Sequence, residues 1–205
     1  MDDIIGVDFD NTIVRYDDIM YKIAVERSLV QPNLPKNKKQ IRDIIRRLPN
    51  GEMKWQELQA TIYGLRMDDA EIINGVEEFF IQCRLKKIRV YIISHKTEYA
   101  SFNSARINLQ NASLNWMMKK NFFSNDGLGL SEKNVFFEPG RSAKIERIKR
   151  LGCAYFIDDL EEIFLDKSFP NHVKKILYDP LSQDLHSKDI KAFKTWEEIN
   201  HYFFK

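Results

Sequence analysis

Hydrophobic positions gather into short, nearly unbroken apolar runs, separated by longer stretches where they recur every three or four residues. Five runs read as strands: Ile4–Phe9, Arg89–Ser94, Val135–Glu138, Ala154–Asp158 and Lys174–Tyr178. They are rich in Ile, Val, Phe and Tyr, and continuous apolar runs suit parallel strands covered on both faces. Helical spacings lie between them, as in Ser142–Leu151, where Ile145, Ile148 and Leu151 share a face. A final helix opens at Thr195, with Glu198 three residues on and Trp196, Ile199 and Phe203 to bury. Alternating strands and helices predict an α/β, Rossmann-like three-layer core with a mostly parallel five-stranded sheet and right-handed crossovers.

The interval between the first two strands is far longer than a crossover requires. It reads as several helices, Asp17–Leu29, Lys38–Leu48, Met53–Leu65 and Asp68–Arg84, interrupted at Pro32, Pro35 and Pro49-Asn50-Gly51. The expected division is therefore a core of residues 1–14 and 88–205 with a small α-helical cap insertion, 15–87, over the sheet's carboxyl edge.

Composition changes this picture little. Of the 205 residues, 43% are hydrophobic and 30% charged, as in an ordinary globular protein, and the formal net charge of +2 supplies no basic field for nucleic acid. The basic stretch from Lys36 to Arg47 reads as a solvated helix face with Ile41, Ile44, Ile45 and Leu48 turned inward; its sharper alternative has Arg42, Arg46 or Arg47 meeting an anionic substrate. Cys83 and Cys153 are far apart, without metal-ligand spacing, and read as buried reduced thiols. No apolar run is long enough to cross a bilayer and no targeting segment is evident, so a cytoplasmic protein with neither membrane nor nucleic-acid partner is expected.

The chemistry concentrates where strands end. The first strand closes on Asp8-Phe9-Asp10-Asn11-Thr12, and its two carboxylates, two residues apart, project from one side. Ligands of open α/β sheets bind beyond the strands' carboxyl ends. Like charges this close repel unless a cation sits between them, and a hard divalent cation with oxygen ligands resolves the conflict. The fourth strand repeats the pattern at Asp158-Asp159, although Asp159 and Glu162 also have capping-box spacing for a helix from Leu160. A cap needs one acid and leaves Asp158 unexplained. Ser94 ends the second strand, and Lys144 opens a helix after the Pro139-Gly140 turn, with Lys133, Arg141 and Arg147 as rival cations.

In this order, Asp-x-Asp-x-Thr, then Ser, then Lys, then Asp-Asp, the chain resembles the haloacid dehalogenase superfamily and its four signature motifs, from Ile4 to about Asp179. The helical insertion is similar to that family's first type of cap, and Asn11 stands where glycine is commoner. The resemblance implies a magnesium-dependent phosphatase. Asp8 is then the nucleophile, Asp10 the general acid and base, and Thr12 fixes the loop. Ser94 and Lys144 hold the phosphoryl group, and Lys144 also keeps Asp8 ionised. Mg2+ falls to Asp8, the backbone carbonyl of Asp10 and Asp158, with Asp159 direct or through water. His95 follows Ser94 and is either structural or a substrate contact. Tyr16, Trp55, Tyr63 and Arg66 are candidates for a leaving-group pocket. The expected substrate is a small phosphorylated metabolite, a sugar phosphate or nucleotide. A phosphomutase and a non-catalytic phosphate-binding module on the same fold are the alternatives; dehalogenases of the family typically lack the second acid.

Overall fold

The computed structural model describes residues 3–100, 107–182 and 185–205. Its main sheet has six strands: β1 (Ile4–Val7), β4 (Arg89–His95), β5 (Val135–Glu138), β6 (Tyr155–Asp158), β7 (Lys174–Tyr178) and β8 (Ile190–Phe193). Their order is β5-β4-β1-β6-β7-β8, and every adjacent pair is parallel. The five expected strands are present, and β8 is a sixth that the apolar pattern did not reveal. In β8 only Ile190 is buried, while Lys191 and Ala192 face solvent, as an edge strand allows.

The chain forms two compact units. The first comprises Met1–Val14, Ile72–Lys96 and Met118–Lys205, and the second Arg15–Glu71 and Thr97–Met117. This differs from the division expected at 15–87. Residues 72–87 join the sheet-bearing unit because α4 (Val76–Leu85) packs there: Phe79 meets Trp196, Phe203 and Phe204 of α8 (Trp196–Phe204), with ring centroids 5.0–5.5 Å apart. Residues 97–117 join the second unit, where Trp116 Nε1 of α5 (Leu109–Lys119) donates to the carbonyl of Ala70 at 3.0 Å.

The second unit holds α1 (Asp17–Glu26), α2 (Lys38–Arg46) and α3 (Gly51–Ala60), continued by a π-helical turn, Thr61–Leu65. Ile41 and Ile45 are buried, whereas Arg42 and Arg46 pair on the surface with Asp43 and Glu52; this is the solvated-face reading of the basic stretch. The helix expected over Asp68–Arg84 is interrupted instead. A 3-10 turn at Met67–Asp69 leads into β3 (Glu71–Ile72), which forms a separate two-stranded sheet with β2 (Val14–Arg15) before α4 begins.

Strand alternation assigns the sheet's faces. One face buries Ile93, Phe156, Leu177 and Ile190 against Ile145 and Ile148 of α6 (Arg141–Arg150). Gly6 lies on this face because a Cβ there would sit 2.5 Å from the Phe156 ring. On the two-residue period Asp8 follows Gly6 and Asp158 follows Phe156, so both acids emerge on the face that α6 covers. At the other end of the chain, buried Trp196 donates from Nε1 to the Thr12 carbonyl at 2.8 Å, tying α8 to the loop after β1. Trp196→Phe is expected to cost about 1–3 kcal/mol in urea unfolding, since it leaves that buried carbonyl without its donor. Among the described residues no helix is long and apolar enough to cross a membrane.

Candidate active site

The loop after β1 is shaped by its backbone bonds. The N–H groups of Ile13 and Val14 donate to the Phe9 carbonyl at 2.9 and 3.1 Å, and Asn11 N–H donates to the Val14 carbonyl at 2.9 Å. The reversal puts Asn11 at φ 61°, a left-handed conformation that Asn, like Gly, tolerates. Asp8 remains anchored to the sheet by its N–H to the Ile157 carbonyl, 2.9 Å.

Lys144 lies in the first turn of α6, facing the sheet. Its ammonium, only 3% of the residue being exposed, is 2.5 Å from Asp8 Oδ1 and 2.6 Å from Asp158 Oδ2, over the Phe156 ring. Burial alone works against the ammonium, but Asp158 and Asp8 outweigh it and hold the lysine's pKa above its ordinary value. Burial pushes the Asp158 carboxyl up, and the Asp8 charge adds to this while Lys144 opposes it. Of the rival cations, Arg147 is engaged by Glu138 at 2.6 Å and lies over Phe136, while Lys133 and Arg141 are exposed.

The paired acids after β6 take separate partners. Asp158 Oδ1 accepts from Leu160 N–H at 2.9 Å, and Asp159 Oδ1 accepts from the buried Thr12 hydroxyl at 3.2 Å. The capping-box spacing does not make a cap: α7 (Glu161–Phe164) starts with Leu160 as its N-cap and no side-chain bond. Asp8, Asp158 and Asp159 each offer an oxygen within 4.8 Å of the other two.

Asp10 goes elsewhere. Its carboxylate receives Lys96 Nζ on both oxygens, at 3.0 and 2.9 Å. Sequence reasoning missed Lys96. Alternation held the signal, because Lys96 shares a strand side with Ser94 whereas His95 faces the opposite way. The structure agrees: Ser94 and Lys96 are buried and His95 is exposed. Asp8, Asp10, Thr12, Ser94, Lys144, Asp158 and Asp159 all belong to the first unit. The expected leaving-group residues belong to the second, where Tyr16 and Trp55 are core, Tyr63 packs on Tyr16 at 4.7 Å and Arg66 is bonded to Asp69.

Asp8 and Asp158 face the Lys144 ammonium with an Asp159 oxygen close by, and Asp10 faces that of Lys96. The clustered donors are all hard carboxylate oxygens, which fits Mg2+ rather than a thiolate- or imidazole-bound metal.

The architecture recurs in solved proteins. A haloacid dehalogenase (HAD) family hydrolase from Deinococcus radiodurans superposes with a TM-score of 0.60 at 10% identity, over 98% of this chain and 94% of its own. The chain has the haloacid dehalogenase fold. Hydrolases of the same fold from Entamoeba histolytica (TM-score 0.57, 13% identity, 96% of this chain and 94% of that one) and Streptococcus pneumoniae (0.57, 15%, 98% of each) are similar over their whole lengths. No protein-family model matches the sequence, and no curated protein matches it significantly. Within the haloacid dehalogenase fold, the four strand ends of β1, β4, β6 and, through α6, β5 supply Asp8, Ser94, Asp158 and Lys144 to one edge of the sheet.

Proposed function

We propose that the protein is a magnesium-dependent phosphomonoester hydrolase, acting on a small phosphorylated metabolite such as a sugar phosphate or nucleotide. The observation that carries this reading is the sorting of the acids. Asp8 is held on the Lys144 ammonium beside Asp158, while Asp10, two residues on, is held apart on Lys96. One site thus offers an ionised nucleophile and a separate carboxyl group for proton exchange, the two roles that an aspartyl-phosphate route requires.

In this reading an Asp8 oxygen attacks phosphorus as the bond to the leaving alcohol breaks, and Asp10 gives that alcohol its proton. Asp10 then takes a proton from the water that cleaves the acyl phosphate, restoring Asp8. Lys144 keeps Asp8 anionic before attack and balances charge on the phosphoryl oxygens, with Ser94 as a hydrogen-bonding partner to them. Asp8, Asp158 and the Asp10 carbonyl would hold Mg2+, with Asp159 direct or through water; the ion supplies charge neutralisation for phosphoryl transfer. The Deinococcus radiodurans hydrolase holds phosphate and sodium, in keeping with a phosphoryl site on this fold.

The test is inorganic phosphate release from a panel of sugar phosphates, nucleoside monophosphates and small phosphorylated acids. Release with magnesium that excess chelator stops is the expected result. No release from any ester in magnesium would overturn the reading.

A further inference from the structure

Lys96 is not needed to place Asp10 in the sequence motif, yet the fold buries it to 4% exposure at the end of β4. A lysine side chain buried this deeply loses its hydration, so its position depends on the partner it meets. That partner is Asp10, whose side chain stays 22% exposed while both its oxygens lie within 3.0 Å of the ammonium. Two contacts from one nitrogen fix the direction in which the carboxylate points. The lysine itself is fixed: its N–H donates to the Glu138 carbonyl on β5 at 2.9 Å, and its ammonium lies 5.6 Å from the Phe9 ring centroid.

The surroundings show what such a hold prevents. Asp8, Asp158 and Asp159 bring their oxygens together within 4.8 Å, around Lys144 as the cation bonded to the first two. Asp10 is two residues from Asp8, on the tight loop after β1, yet its carboxylate is not among the clustered oxygens. We propose that Lys96 is a positioning residue that keeps the Asp10 carboxyl out of the acid cluster and aimed at the leaving-group oxygen. The inference rests on the hydrolase reading above. Lys144 serves Asp8 and Asp158, two of the acids that gather, and Lys96 serves the one that must stay apart.

The role has a signature that simple destabilisation lacks. An aimed acid matters most when the leaving group is a poor one, and little when the alcohol departs readily as its anion. Lys96→Met and Lys96→Gln should therefore lower the first-turnover rate of alcohol release from an alkyl phosphate such as glycerol phosphate by about ten- to a hundredfold, and from p-nitrophenyl phosphate by less than about threefold, while the acyl-phosphate step that follows slows alike for both. KM should move little for either, and Lys96→Arg should recover part of the loss. In an Asp10→Asn background, Lys96→Met should add almost nothing. Equal first-turnover losses on both esters, or a raised KM with kcat intact, would overturn the proposal, the latter making Lys96 a substrate contact. Wild-type turnover that Asp8→Asn abolishes must come first, since its absence is the failure of the hydrolase reading itself. Crystal structures of wild type and Lys96→Met then test the hold without catalysis: Asp10 keeps its rotamer in the first and leaves it in the second. An unmoved Asp10 in the variant would sink the proposal whatever the activity.

Discussion

Asp8→Asn is expected to lower kcat by about four orders of magnitude or more while leaving the folded protein at least as stable. The catalytic loss follows from chemistry, since an amide oxygen does not form the acyl phosphate that an ionised carboxylate forms. The stability follows from charge. In the metal-free protein two buried carboxylates, Asp8 and Asp158, share the Lys144 ammonium; burial raises the Asp158 pKa, Lys144 opposes this, and the Asp8 charge works against Lys144. Removing one charge leaves a balanced pair in an isosteric side chain. Phosphate release, read beside urea unfolding in chelator, checks both halves. A large fall in stability would mean that the inactive protein is merely misfolded.

Lys144→Met is expected to be the most damaging single change to the metal-free fold, at about 3–5 kcal/mol, because it strips the cation from a buried cluster and leaves like charges uncompensated. Magnesium, which Asp8 and Asp158 would hold, should restore part of this loss, even though turnover stays low without the lysine. Urea midpoints of the variant and the wild type, each in chelator and in magnesium, measure the effect. A variant as stable as wild type in chelator would show that Lys144 does not neutralise the acids.

The core was legible where burial is two-sided. β1, β4, β6 and β7 are central, so their apolar runs stand out, as does the Val-Phe-Phe run of the edge strand β5, and the acids at the ends of β1 and β6 stand out against them. β8, the other edge, was not legible because Ile-Lys-Ala-Phe offers too few apolar positions to show a period. The interruption before α4 was masked by the helical spacing that Asp68–Arg84 carries on either side of Ala70–Gly75. The membership of 97–117 in the second unit depends on a long-range bond, Trp116 to Ala70, which has no local signature.

The site divides the same way. Asp8 and Asp158 were readable from strand ends, and Lys144 became readable from its order in the motifs rather than from its helix. Lys96 was not, because a lysine in Ser94-His95-Lys96-Thr97 looks solvent-exposed until its side of the strand is set beside that of Ser94. Asp159 reads in sequence as a metal ligand, direct or through water, with a helix cap as the rival; its bond to Thr12 links two loops 147 residues apart in sequence and follows only from the sheet order that brings β6 beside β1.

The most direct test of the account is to trap the covalent intermediate. Protein turning over the best ester of the panel in magnesium is quenched in acid, reduced with borohydride, and mapped by peptide mass spectrometry. Conversion of residue 8 to homoserine in the wild type, and its absence in Asp8→Asn, is the predicted result. Reduction at a different residue, or vigorous phosphate release with residue 8 never modified, would contradict it.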